Sequence, residues 1–309
     1  MPNKLRIGTR SSELAMWQAK HVQSLLALYA HGIVTELVQI ETHGDRDRNS
    51  SLAVIGGQGA FTKEIEAALI DCRIDVAVHS LKDLPTTLDP ALTLAATPGR
   101  ASVEDAFIGR DTRIPLLELP IGATIATGSL RRKAQLLALR EDFTIVDLRG
   151  NVPTRIRKLR ESNWDGIILA TAGLERLDLA HEITQRIPAE MLVPAVGQGA
   201  LGLETRRNDD ATIGILQQLN DADVFAAVTA ERSALRAMGG GCQVPMGANA
   251  RIIEGAIDLQ MVIAHPRGLA TVRGRHGGNR EHADEVGAEL AERLLHEGGQ
   301  AFLDADTDV

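Results

Sequence analysis

Aromatic side chains are scarce in this 309-residue sequence, at 3% for phenylalanine, tryptophan and tyrosine together. Stacking platforms for single-stranded nucleic acid are therefore poorly supplied. Cysteine is equally thin. Cys72 and Cys242 are the only two, too few for a disulfide framework or a cysteine-only metal site, and a reducing compartment is the natural setting. The nine histidines show no HExxH or CxxC-type spacing, so no metal is expected. The longest apolar stretches are strand-sized, far short of the roughly 20 residues that span a bilayer. The start, Met1-Pro2-Asn3-Lys4, runs at once into an alternating apolar segment, which leaves no room for a signal or transit peptide. A cytoplasmic protein without a membrane partner is expected.

Charge is not scarce, but it is unevenly placed. The net charge of −8 argues against a nucleic-acid partner. Between Gly128 and Arg160, however, nine basic residues face three acidic ones, a net of +6 that leaves −14 on the rest of the chain. A cationic island in an acidic protein points to a compact anionic ligand.

The first two thirds alternate short apolar runs with helical patterns, the signature of an α/β sheet. Strands are expected at Leu5–Gly8, Val34–Ile40, Asp75–Val78 and Leu92–Ala96, with helices from Ser12 to about Tyr29 and over Thr62–Asp71. Ser11-Ser12-Glu13 supplies a cap and an acidic first turn. The polar, glycine-bearing segment 42–59 is too long for a routine connection and reads as a lid or binding loop. A second set has strands at Thr124–Thr127, Thr144–Leu148 and Gly166–Ala170, with helices starting near Ser129, Pro153 and Ala172. Leu192–Gly199 reads as a crossover back to the first set. From about Asp221 a long helix to Met238, two or three alternating strands and a final helix near Glu281–His296 make a small α+β unit. The expected division is residues 1–99 with about 195–218, then 100–194, then 219–309.

Chemistry is concentrated in a few short segments. Gly239-Gly240-Gly241-Cys242 follows a helix and leaves the thiol little steric cover, so Cys242 reads either as a nucleophile or attachment point or as a small hydrophobe after a helix cap. Cys72, inside an apolar helical pattern, reads as ordinary packing. His79-Ser80-Leu81-Lys82-Asp83-Leu84-Pro85 follows a strand, where open α/β sheets place ligand residues; Asp83 either handles a proton or developing cation or belongs to a surface turn. Thr127-Gly128-Ser129-Leu130-Arg131-Arg132 puts hydroxyls and a pair of arginines at a strand-to-helix junction. Free N–H groups and bidentate guanidinium forks there favour an anion. Arg149 to Arg155 repeats the arrangement after the next strand, Arg176 follows the one after that, and Thr9-Arg10-Ser11-Ser12 adds donors after the first. Arg157, Lys158 and Arg160, at helical spacing, read as a solvated face.

Taken in order, VAVHSLKDLP, GSLRRKAQL, LRGNVPTR, ILATAGLERL, LVPAVGQGALGLE and GGGCQVPMGA resemble the hydroxymethylbilane synthase (porphobilinogen deaminase) family, over essentially the whole chain. The resemblance implies two type II periplasmic-binding-protein-like α/β domains plus a small α+β C-terminal domain, with the active cleft between the first two. It implies a transferase of porphyrin (haem) biosynthesis that joins four porphobilinogen molecules head to tail and releases four ammonia. It also implies a dipyrromethane cofactor held by a thioether to Cys242. By family position Lys82, Thr127, Ser129, Arg131, Arg132 and Arg155 hold cofactor carboxylates. Arg10, Ser12, Arg149, Arg155 and Arg176 hold substrate or assist the chemistry, and Asp83 is the catalytic group. Gln58 departs from the lysine common in the family's lid. A monomer suffices for this chemistry. Two other readings of the residues remain: an anion-binding module on the same scaffold, which needs the arginines but not Cys242, and a cysteine hydrolase, for which His265 is the nearest histidine after Cys242.

Overall fold

The computed structural model describes residues 4–30, 32–43, 62–110, 113–239 and 244–305. Two five-stranded sheets and one three-stranded sheet organise them.

The first sheet comprises β1 (Lys4–Thr9), β2 (Val34–Gln39), β3 (Val76–Ser80), β4 (Leu92–Ala96) and β10 (Leu201–Arg206), in the order β2-β1-β3-β10-β4. β1 pairs in parallel with β2 and β3, and β10 runs antiparallel to β3 and β4. The second sheet comprises β5 (Asp105–Gly109), β6 (Thr124–Ala126), β7 (Thr144–Val146), β8 (Gly166–Ala170) and β9 (Gln185–Ile187), in the order β7-β6-β8-β5-β9. Its antiparallel strand, β5, also occupies the fourth place. The two sheets therefore share one plan, with the antiparallel member drawn from late in the chain in one and from the start in the other.

Local chemistry explains the helices flanking the cleft. Ser12 accepts a hydrogen bond from Ala15 N at 3.3 Å and caps the helix Glu13–Tyr29, which buries Ala15, Gln18, Ala19, Val22 and Leu26 on one stripe. Ser129 caps Leu130–Leu139 in the same way, and Asn151 caps Val152–Glu161, with Pro153 in its first turn. In the third unit β11 (Met246–Ile253), β12 (Ala256–Ala264) and β13 (Thr271–Asn279) form an antiparallel meander. The helices Ala222–Ala237 and Ala283–Leu294 join its core. They approach so closely that a Cβ on Gly287 would lie 2.1 Å from the carbonyl oxygen of Ala230.

The structure extends the sequence reading at three strands and corrects one cysteine. β5 and β9 were not legible as strands, because β5 is covered on both faces and shows no alternation. β10 holds a glycine and the buried polar residues Glu204 and Thr205, which masked it. Cys72 is not core packing. The helix Lys63–Ile70 stops before it, and Cys72 sits exposed at φ 56° where the chain turns back toward β3. No described helix is long and apolar enough to cross a membrane.

The chain passes between the two large sheets twice, and the two crossing segments lie side by side. Ala101 N donates to Gly199 O at 3.1 Å, and Arg100 bridges to Ala200. A buried ion pair fastens this crossing to the third unit. Arg100 Nη1 and Nη2 donate to Glu231 Oε1 and Oε2 at 2.7 and 3.0 Å, and its Nε donates to Gln198 O at 2.9 Å. Glu231, fully buried, also accepts from Gly197 N and Ala250 N, each at 2.7 Å. Replacing Glu231 by Ala leaves the Arg100 guanidinium buried and unpaired and strips two backbone donors. A loss of about 3–5 kcal/mol is expected, read as a lowered midpoint in denaturant unfolding; a shift below about 1 kcal/mol contradicts this account of the junction.

Candidate functional site

The carboxyl ends of β1 and β3 in the first sheet face those of β6, β7 and β8 in the second. β1 ends at Thr9, whose buried hydroxyl donates to Ala15 O at 3.0 Å and ties the strand to the helix that follows. Arg10 and Ser12 lie in that turn. After β3 a single 3-10 turn, Leu81–Asp83, anchors itself by the buried Leu81, whose N–H donates to Ala200 O at 3.0 Å. Lys82 and Asp83 project from it, Lys82 half-buried and Asp83 exposed, and among the described residues neither makes a hydrogen bond.

The opposite wall is built on one carboxylate. Asp105, fully buried at the start of β5, accepts from Arg131 Nη2 at 2.8 Å through Oδ2 and from Arg132 Nη2 at 2.6 Å through Oδ1. Gln198 Nε2 adds a third donor to Oδ1 at 2.9 Å. Arg131 and Arg132 also donate to Val193 O and Ile168 O. The flanking arginines hold the Asp105 carboxyl far below the usual carboxylate range, overcoming the burial that would raise it. The Nε atoms of Arg131 and Arg132 are buried with no partner among the described residues.

Two narrow cavities follow from this arrangement. One, of about 80 Å³, is lined by Ser80, Lys82, Arg132, Arg155 and Arg176, with the apolar Leu169 and Ala172 beside them. The other, of about 60 Å³, is lined by Arg10, Ser12, Gln18, His79, Ser80 and Asp83. They share Ser80, which Gln18 Nε2 holds at 2.7 Å. Burial lowers the Lys82 ammonium to about 8, with Arg132 and Arg131 adding to the fall and Asp83 opposing it. Burial, then Arg132 and Arg149, lowers Arg155 to about 10, and burial lowers Arg176. Four cations, Lys82, Arg132, Arg155 and Arg176, border the first cavity with no carboxylate among its described lining residues, so an anionic ligand is favoured.

The sequence-predicted residues fall into three groups. Lys82, Arg132, Arg155 and Arg176 meet on the first cavity, and Arg10, Ser12 and Asp83 on the second. Thr127, Ser129, Arg131 and Arg149 support the site without lining either space. Thr127 Oγ1 accepts from Ser129 N at 3.3 Å, Ser129 Oγ accepts from Arg132 N at 3.4 Å, and Arg149 Nε donates to Asp147 at 2.9 Å. Cys242 and Gln58 lie outside the described residues. Arg157 and Arg160 pair with Glu161 and Glu182 on the outer face. Sequence reasoning missed Asp105, Gln18, Gln198 and Glu204. Glu204 Oε2 meets His79 Nε2 at 2.9 Å in a buried pair under the second cavity. For Asp105 and Glu204 the available signal was an acid inside an otherwise apolar strand.

Asp105 generates a pH prediction. Its folded pKa is depressed, so its stabilisation is fully present above the unfolded value near 4 and is lost as pH falls from there toward the folded value. Asp105→Asn should therefore lower stability by about 3–5 kcal/mol at neutral pH. In acid unfolding the gap between variant and parent should shrink below about pH 4. A gap that is constant down to the acid limit removes Asp105 from this role.

Comparison with known proteins matches the geometry. Residues 5–214 match the family model "Porphobilinogen deaminase, dipyromethane cofactor binding domain", and residues 225–296 match "Porphobilinogen deaminase, C-terminal domain". The chain is 48% identical over 303 residues to the porphobilinogen deaminase of Trichlorobacter lovleyi, covering 98% of this chain and 96% of that one. It is 47% identical over 301 residues to that of Syntrophotalea carbinolica, covering 97% and 95%. Among solved structures the methionine binding protein MetQ superposes with a TM-score of 0.46 at 17% identity, over 73% of this chain and 93% of that one. With two adjoining family models and near full-length relatives in agreement, the chain belongs to the porphobilinogen deaminase family.

Proposed function

We propose that this protein is a hydroxymethylbilane synthase, a transferase that condenses four porphobilinogen molecules head to tail with release of four ammonia. The observation that carries the reading is the convergence of Lys82, Arg132, Arg155 and Arg176 on one cavity that adjoins Asp83 through Ser80. Each unit of such a chain bears two carboxylates, so primer plus product present about twelve negative charges to a cationic cleft.

The residues present fit a dipyrromethane. The donor set is cationic and fork-shaped, and the buried Nε atom of Arg132, which lines the first cavity, has no partner among the described residues. When bound through Cys242, that group supplies the pyrrole carbon onto which the first unit is added. Lys82, Arg132 and Arg155 hold its carboxylates, and Arg131, Thr127 and Ser129 keep that wall in place. Arg10, Ser12, Arg149 and Arg176 orient the incoming unit. The Asp83 carboxylate accepts hydrogen bonds from pyrrole N–H groups and stabilises the positive charge left on substrate when ammonia departs. The apolar Leu169 and Ala172 keep water from the cationic side of the cleft. The three sheets support a division into three domains, residues 1–99 with 195–218, 100–194 and 219–309, working as a monomer in the cytoplasm without nucleic acid or membrane.

Three outcomes check this reading. Intact mass of the purified protein should exceed the chain mass by two linked pyrrole units, and Cys242→Ser should abolish the excess. An unmodified mass that stays unmodified after incubation with porphobilinogen returns the anion-binding module. Asp83→Asn should retain the cofactor and lose about 100-fold or more in turnover; near-normal turnover removes Asp83 from the chemistry. Lys82 loses its charge as pH rises through about 8, so its hold on the cofactor carboxylates weakens and turnover should fall on that limb, and Lys82→Arg should move the fall to higher pH.

A further inference from the structure

Arg176 belongs to two spaces. Its guanidinium borders the narrow cavity of Lys82 and Arg155, and it also borders a larger one, about 360 Å³, on the other side. That outer volume falls within the roughly 300–1,000 Å³ of small-molecule sites.

The outer space is walled by an aromatic pair. Trp17 and His21, one turn apart on the helix Glu13–Tyr29, stack with ring centroids 5.1 Å apart and planes 17° from parallel. The Arg176 guanidinium lies 5.7 Å from the centre of the Trp17 ring and donates from Nη2 to Gly199 O at 2.7 Å. The other charges bordering this space are already matched. Arg100 is held by Glu231 and Glu175 by Arg186, each at 2.7 Å. No ion pair with a carboxylate engages Arg176 among the described residues. Burial, then Arg176, holds the His21 imidazole below its ordinary range, so it presents a neutral ring. In a sequence with two tryptophans, one stands 37% exposed in this wall with an arginine above it.

A flat apolar face beside an arginine with no ion-pair partner suits one ligand class, an aromatic ring carrying carboxylates. The proposed reaction makes such rings one at a time. The first added unit is served by the inner cavities, and each later addition lengthens the attached chain by a ring and two carboxylates. We infer that Trp17, His21 and Arg176 form an outer subsite that receives a pyrrole ring of the enzyme-attached chain once more than one unit has been added. The stacked Trp17–His21 pair offers its outer face to the ring, and the outward N–H groups of Arg176 take its carboxylate. This rests on the synthase reading above.

The test follows the attached chain by mass. Holoenzyme is mixed with porphobilinogen, and intact masses are read through turnover for the parent, Trp17→Ala/His21→Ala, His21→Ala and Trp17→Phe. In the double variant the one-unit species should form at the parental rate, species carrying two or three units should accumulate, and product release should slow about ten-fold. His21→Ala should shift the ladder in the same direction by less, which keeps the test informative should the double variant fold poorly. Trp17→Phe should stay within about two-fold of the parent, since a flat ring remains. A parental ladder and turnover in His21→Ala and the double variant overturns the subsite, as does a block at the first unit. A parent whose mass never rises overturns the synthase reading, and this subsite with it.

Discussion

Two guanidinium groups within reach of each other repel by about 4 kcal/mol at 4 Å in an effective dielectric of 20. Burial makes each harder to keep charged. Arg131 and Arg132 are neighbours in sequence and both buried, and they are tolerable because Asp105 stands between their tips with one oxygen for each. Gln198 completes the carboxylate and reaches back to Val103 O at 2.7 Å, so the segment joining the sheets is stitched to the same anion. Arg155 then joins a wall whose charge is already half cancelled, and Lys82 meets it from across the cleft. What remains uncancelled is directed at the cleft, where a polycarboxylate would complete it.

The cleft thus has a rigid and a responsive side. The arginines around Asp105 are fixed by several bonds each, and the Arg100–Glu231 pair fixes the crossing behind them. Among the described residues Lys82 and Asp83 have no such hydrogen bonds, although the turn that carries them is anchored by Leu81. A ligand therefore meets a pre-formed cationic wall on one side and two side chains still free to orient on the other, an economical way to bind a chain that changes length.

Much of this was legible in the sequence. The strands at Leu92–Ala96 and Gly166–Ala170, the helix start at Ser12 and the basic clusters at strand ends all follow from period, caps and residue type. The cations of the cleft were readable because arginine at a strand-to-helix junction has few other uses. Their support was not. Asp105 reads as one acid before a short apolar run, and only the folded chain shows it meeting residues 26 and 27 positions away. The same holds for Glu231, whose partner Arg100 lies 131 residues earlier. Long-range polar pairing leaves no local period to detect. Cys72 misled for the opposite reason: a helical pattern continued on paper past the residue where the backbone turns left-handed.

The shared sheet plan has a consequence for synthesis on the ribosome. Every strand of the second sheet lies within residues 105–187, so that sheet is complete as soon as this stretch has emerged. The first sheet is not, although its first strand begins at Lys4. Its fourth place, between β3 and β4, stays empty until Leu201–Arg206 arrives. Until then β3 and β4 expose unpaired edges, the form of backbone most open to wrong partners. The sheet begun first is thus finished after the second, and the nascent chain must hold it open through the translation of more than 100 further residues, from Ala96 to Leu201.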